Sequence, residues 1–407
     1  MRLTFFRVGL FLLGFIFLTP TCLAVQTPQP VQTNQTSQPE EDPCSLQKPF
    51  KRSFPNLVLG RVTSTKIVER YETTTRYTSE AIVTQVFTGK ADLLEKKFEV
   101  TSFGGDIPLA SQSIHPQLQP DEIGIWLILS GSQDVFYSGW FEAFSREFPC
   151  RQNVHPEFEQ VLELAQVISE LSQTAPELQA QLLKSHAINP NQEVSLFAVS
   201  LLLDTHCPEH MEYLKQMFFE GKLPVLSQLY FDDQMGNVYS KQPSAAEQWR
   251  NQAERMAWLF QLSQHRFNPR EARFYRSSCW NTIYLKPLNP NYFRGLVNRT
   301  ARNTSLPFKD RQGIFHFAIQ REVEEKSLSG REAVDEYLWF IEQNVNQPGI
   351  DKTWSYLISF PLTQPQIDRM SQLVKMTTNP EALKRCNQVW EMYRNLLLHS
   401  KCLSELK

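Results

Sequence analysis

The chain has 407 residues and a formal net charge of −2, with 41% apolar and 21% charged residues. It is long enough for two domains or more and has an ordinary globular composition. Nothing in its overall charge points to nucleic acid or membrane lipid. Only 15 glycines argue against a nucleotide-binding fold built on glycine loops, and 28 phenylalanines suit a sizeable core.

Residues 1–24 read as a cleavable secretory signal. Arg2 and Arg7 form a positive start, Val8 to Leu18 is an apolar run of 11 residues, and Cys22-Leu23-Ala24 supplies a small-residue cleavage site. The run is shorter than the roughly 20 residues that span a bilayer core of about 30 Å. A lipoprotein site at Cys22 fits less well, because Thr19, Pro20 and Thr21 occupy the preceding positions. Residues 25–43, rich in Gln, Thr and Pro, read as a disordered linker. The expectation is an exported protein, periplasmic or extracellular, with no transmembrane segment in the mature chain.

Export leaves six cysteines: Cys44, Cys150, Cys207, Cys279, Cys386 and Cys402. An even count in an oxidising compartment favours disulfides. Position suggests Cys44–Cys150, which bracket one segment, and by exclusion Cys207–Cys279 and Cys386–Cys402. With no Cys-x-x-Cys, a dithiol redox site or zinc ribbon is not expected.

Residues 44–150 read as a β domain. Leu57–Val62, Thr75–Phe87, Phe98–Phe103 and Val135–Phe144 have strand character, with turn signals at Gly104-Gly105-Asp106 and Gly131-Ser132. On Thr75–Phe87, the residues Ile82, Thr84 and Val86 share one face, and Val83 and Phe87 share the other. Ile123 to Leu129 is a nearly continuous apolar run, as for a strand buried on both faces. Five or six strands in this length suggest a small barrel. The opening Cys44, the strand Leu57–Val62, the Val86–Lys90 turn, the Gly-Gly-Asp turn and the late apolar strand resemble the netrin-like, tissue-inhibitor-of-metalloproteinase-like group of OB-fold barrels. The inhibitors of that group chelate a protease zinc through a mature N-terminal Cys. Cys44 lies behind the tether, so the resemblance supports that fold rather than that activity.

From residue 155 to 407 the period becomes helical. Stripes run through Phe158, Val161, Leu162 and Ala165, through Val194, Phe197, Ala198, Leu201 and Leu202, and through Leu383, Cys386, Val389, Trp390, Tyr393 and Leu397. Ser244–Glu247 reads as a capping box opening a helix that carries Trp249, Ala253, Met256 and Phe260 on one face. Ser329–Glu332 reads as a second capping box. Asn-Pro pairs at 189, 268, 289 and 379 punctuate a HEAT-like series of hairpins, or a bundle. The fold class expected is therefore α+β: a small OB-like barrel followed by an all-α domain.

Chemistry is sparse. His206 and His210 flank Pro208, which suits a helix start better than a zinc pair, and no HExxH or GxSxG pattern occurs. Asn298-Arg299-Thr300 and Asn303-Thr304-Ser305 match the glycosylation acceptor pattern, which matters only in a eukaryotic secretory pathway. Residues 265–311 carry ten Lys or Arg against two acids, interleaved with aromatics. Arg266, Arg270, Arg273, Arg276, Arg294, Arg299 and Arg302 form the anion-binding candidate, a surface for an anionic envelope component, a glycan or an acidic protein. The opposing expectation is that these arginines pair internally. The functional expectation is a non-catalytic exported binding protein without catalytic residues, metal or cofactor. The alternatives are a protease inhibitor or regulator acting through the barrel, and a hydrolase with its site in the helical domain.

Overall fold

The computed structural model describes residues 56–70, 75–104, 118–127, 140–141, 146–147, 150–237, 243–283 and 290–405, with side chains at 101–104, 140–147, 290–292, 358 and 396–405 excepted. The signal, the linker and Cys44 lie outside the described residues.

The class is α+β. Strands β1 (Leu57–Arg70), β2 (Thr75–Thr88), β3 (Lys97–Gly104), β4 (Ile123–Leu127) and β7 (Cys150–Arg151) form one antiparallel sheet in the order β3-β2-β1-β4-β7. The short β5 (Trp140–Phe141) and β6 (Arg146–Glu147) pair separately. Among the described residues no pairing joins β3 to β7.

Both faces of the sheet are covered, which is why β4 reads as an unbroken apolar run. Leu57, Phe87, Ile125, Leu127 and Cys150 face the first helices. Val58, Val62, Ala81, Val83, Phe98, Val100 and Trp126 build a second core on the other side. The expected alternation on β2 fails at its end. Register shifts between Leu59 and Gly60 and between Leu57 and Val58 bring Val83 and Val86 to the same face and send Phe87 to the other. Each shift inserts one unpaired residue, which reverses the parity beyond it. The Gly60–Gly124 pair is required by Trp126. A Cβ on Gly60 would meet Phe98 at 3.0 Å and Trp126 at 3.2 Å, and one on Gly124 would meet Trp126 at 3.0 Å. The two glycines leave the indole room to lie across the strands.

A buried ion pair closes this end of the sheet. Arg151 Nη2 donates to Glu122 Oε2 at 2.6 Å, its Nε bonds Oε1, and the residues are 4% and 5% exposed.

Fourteen described helices follow: α1 (Phe158–Gln173), α2 (Pro176–Ala187), α3 (Gln192–Asp204), α4 (Pro208–Phe219), α5 (Val225–Gly236), α6 (Pro243–Arg250), α7 (Ala253–Leu262), α8 (Pro269–Ile283), α9 (Pro290–Arg302), α10 (Phe308–Glu324), α11 (Gly330–Asn344), α12 (Asp351–Tyr356), α13 (Gln364–Met376) and α14 (Pro380–Glu405). None is long and apolar enough to cross a membrane. The Asn-Pro pairs at 268, 289 and 379 open α8, α9 and α14, with Pro at the first helical position, where its missing N–H costs nothing.

Two expected helix features differ. Ser329 caps α11 as read: its Oγ accepts from Glu332 N, and Glu332 Oε2 accepts from Ser329 N. Ser244 does not cap, because Pro243 already begins α6. The single helix expected from residue 244 to Phe260 is also two helices, α6 and α7, broken at Asn251 and Gln252.

The sheet and the first helices share a core. Sheet residues pack with Phe158, Val161 and Ile168 of α1, Val194, Phe197 and Leu201 of α3, and Phe231 of α5. A second core runs through α8, α10, α11, α12 and α14 and centres on Tyr275, Phe315, Tyr337, Phe340 and Trp354. Tyr230 and Trp258 pack against both cores.

A polar network lies at the same junction. Arg255 of α7 and Asp232 of α5 are both 0% exposed. The guanidinium bonds the carboxylate through Nε and through Nη2, the latter at 2.8 Å. Trp249 Nε1 of α6 donates to the same carboxylate at 2.9 Å, and Arg255 Nη1 donates to Thr282 Oγ1 of α8 at 3.1 Å. Four helices are thus held by one charge pair. A buried pair adds little net stability when complete but costs about 3–5 kcal/mol when one charge is left alone. Arg255→Met is accordingly expected to lower the unfolding free energy by about that amount in urea. Adding Asp232→Leu to it is expected to restore a large part of the loss; a double variant as weak as the sum of the singles would contradict the network.

Candidate functional site

Among the described residues, most arginines of the basic segment have partners within the fold, as the opposing expectation has it. Arg270 pairs with Glu193 of α3. Arg276 pairs with Asp310 at 2.8 Å and Arg294 with Glu322 at 3.2 Å. The guanidinium of Arg299 lies 3.9 Å from the Phe260 ring centre, and that of Arg302 lies 5.1 Å from the ring of Trp339. Arg266 and Arg273 are exposed, and Arg273 acts electrostatically on Asp233. Most of these cations therefore hold helices to one another. Four of the interleaved aromatics, Phe267, Phe274, Tyr275 and Phe293, are core residues rather than a surface.

One part of the segment does line a groove, between α8 and α10, with a volume of about 440 Å³. Its α8 wall is Arg276, Ser277 and Trp280; its α10 wall is Lys309, Asp310 and Gly313. Both triplets have the spacing i, i+1, i+4, which puts their members on one helical face. The start of α8 is fixed by a reciprocal cap in which Asn268 Oδ1 accepts from Glu271 N at 2.9 Å and Glu271 Oε2 accepts from Asn268 N at 2.9 Å. Such caps are worth about 1 kcal/mol and define where the face begins.

Trp280 forms the apolar floor. Its ring lies 4.5 Å from that of Phe317, and a Cβ on Gly313 would sit 3.8 Å from it. Arg276 is 43% exposed at its side chain and reaches the groove while bonded to Asp310, which is 12% exposed. Lys309 is exposed beside them. Ser277 donates its hydroxyl to Asp233 of α5. Burial raises the Asp233 pKa, while the bond from Ser277 and the nearby Arg273 oppose that rise. The serine proton is thus committed to a carboxylate, with no imidazole between them. The groove offers two cations, one acid and one aromatic face, a set suited to holding a ligand.

The other sequence-level candidates fall elsewhere. His210 is buried and hydrogen-bonded to Thr205 at 2.9 Å, and Pro208 opens α4. His206 precedes the helix with φ 54°. Among the described residues, no group of three or more His, Cys, Asp or Glu is placed to hold a metal ion. Asn303 is no free acceptor, because its amide donates to Ser263 O and to His265 O, each at 2.9 Å.

The cysteine pairing also differs. Cys150, Cys279 and Cys386 are buried and in no disulfide, so Cys44–Cys150, Cys207–Cys279 and Cys386–Cys402 are not formed. Cys207 is disulfide-bonded, to none of these three. The reason is placement: Cys150 faces the core between the sheet and α1, and Cys279 packs within the second core beside Tyr275 and Thr300. Burial pushes the Cys279 thiol up to about 12, which leaves it unreactive.

No sequence signal marked His316. It stacks on Tyr356 with ring centres 3.3 Å apart, and its Nδ1 lies 2.7 Å from Tyr337 Oη.

The chain matches no family model, no curated protein and no solved structure.

Burial holds the His316 imidazole down at about 4. A folded value below the ordinary 6.5 means that the fold opposes protonation. The His316 contribution is therefore complete above pH 6.5 and is lost as the pH falls toward 4. His316→Phe is expected to flatten that part of the stability profile, and an NMR titration midpoint near 6.5 in the folded protein would contradict the burial.

Proposed function

We propose that this is an exported, non-catalytic binding protein whose α8–α10 groove holds an acidic saccharide. The observation that carries the reading is the lining itself: Trp280 beside Arg276, Lys309 and Asp310. A pyranose ring has an apolar face that stacks on an indole. A uronate carboxylate suits the fork of Arg276 and the ammonium of Lys309. Asp310 accepts from sugar hydroxyls but repels a dense dianion such as phosphate, so the mixture favours a carboxylated sugar. The volume of about 440 Å³ falls in the range of small-ligand sites.

The signal-like residues 1–24 support the export part of this reading, and an exported groove would meet envelope or extracellular glycans. Two buried ion pairs, Glu122–Arg151 at the sheet and Asp232–Arg255 in the helical array, support a rigid framework around the groove.

The test is calorimetric titration with a short oligogalacturonate. Binding is expected to weaken as salt rises, and Trp280→Ala is expected to reduce affinity roughly tenfold, the upper end of an aromatic contact. Lys309→Gln is expected to reduce the salt dependence, and Arg299→Gln, outside the groove, to leave binding unchanged. Equal binding of an uncharged oligosaccharide, or full affinity in Trp280→Ala, would overturn the reading.

A further inference from the structure

One residue of the groove is set apart by where its proton goes. Ser277 is half-buried and lines the groove from α8. A serine or threonine inside a helix commonly turns its hydroxyl back to a carbonyl of the preceding turn. Thr282 of the same helix does so, donating to Ser278 O at 2.8 Å. Ser277 instead donates across to Asp233 Oδ1 of α5, a residue that does not line the groove.

The acceptor fixes the direction of that bond, because an ionised carboxylate has no proton to return. Burial and the adjacent Asp232 favour the neutral acid at Asp233, while the Ser277 hydroxyl and the Arg273 guanidinium favour the carboxylate. Asp232 is itself taken up by Arg255 and Trp249, which softens its repulsion of Asp233. A hydroxyl has one proton and two lone pairs. With its proton given to Asp233, Ser277 can only accept from whatever enters the groove.

The lining is then divided by bonding capacity. Arg276 and Lys309 only donate, and Asp310 and Ser277 only accept. The cations take the carboxylate of an acidic saccharide, and the two acceptors take protons from its ring hydroxyls. Asp310 carries a charge, shared with Arg276 at 2.8 Å, and so attracts cations and hydroxyls alike. Neutral Ser277 separates a hydroxyl from a group of the same size that lacks the proton.

We infer that Ser277 is a specificity-determining residue of the groove, a fixed acceptor that selects saccharides with a free ring hydroxyl, and that Asp233 is the positioning residue that fixes it. The inference rests on the reading of the groove as an acidic-saccharide site and narrows that reading. A ligand whose hydroxyl at this place is methylated, acylated or replaced is turned away, because two acceptors then face each other.

The test is NMR titration of the full chain with methyl galacturonide and with its deoxyfluoro analogues, one ring hydroxyl replaced at a time. Fluorine is close to a hydroxyl in size and cannot donate. In the wild-type chain one analogue is expected to bind roughly tenfold more weakly than the parent through the mismatch at Ser277. That deficit is expected to vanish in Ser277→Ala, and to shrink in Asp233→Ala, where the released serine proton turns toward the fluorine. A deficit arising at Asp310 persists in both variants. Mere loosening of the fold would weaken parent and analogue alike and leave their ratio unchanged. Equal affinity for the parent and every analogue, or deficits that all persist in Ser277→Ala, would overturn the inference alone, provided that the parent binds and Trp280→Ala weakens it. Failure of the parent to bind the wild-type chain would overturn the groove reading and this inference together.

Discussion

The helical part of this protein is organised by one buried charge pair. Asp232 and Arg255 have no contact with water, and each is satisfied only because helices from four places in the sequence meet there. The carboxylate takes three donors, from Arg255 and Trp249, and the guanidinium reaches across to Thr282. Apolar packing alone tolerates sliding of one helix along another, whereas a buried ion pair tolerates very little. The pair therefore sets the register of α5 against α8. Trp258 and Tyr230 beside it bridge the core under the sheet and the core of the later helices.

The register matters because α8 carries three things at once. Its inner face supplies Tyr275 and Cys279 to the second core. Its residues Ser278 and Thr282 complete the charge network. Its outer face carries Arg276, Ser277 and Trp280 into the groove. A rotation of α8 that spoiled the buried pair would also separate Trp280 from Phe317 and Arg276 from Asp310. Stability and the proposed binding share the same helix, and the groove walls are rigid because their other faces are core.

Much of this was legible in the residues. The strand from Ile123, the helix stripes at Phe158 and Val194, the Ser329 capping box and the Asn-Pro helix starts all follow from local patterning, and each is found. What patterning missed depended on partners far away in the chain. A bulge on β2 reversed the face of Phe87, and nothing in Thr75–Phe87 announces it. The dense arginines of residues 265–311 looked like a surface because their partners, Glu193, Glu322, Phe260 and Trp339, lie outside that stretch or on other helices. Arg276 differs in that its acid, Asp310, lines an open groove with it. Cysteine order suggested loop closure, but one member of each expected pair, Cys150, Cys279 or Cys386, is packed in a core and in no disulfide.

The most direct measurement is a nitrogen-15 NMR titration of the eight tryptophan indoles with an oligogalacturonate. The account predicts that the Trp280 indole resonance moves most, while those of the buried Trp126, Trp249 and Trp354 stay fixed. A Trp280 resonance that does not move while another indole responds would contradict the placement of the site in the α8–α10 groove.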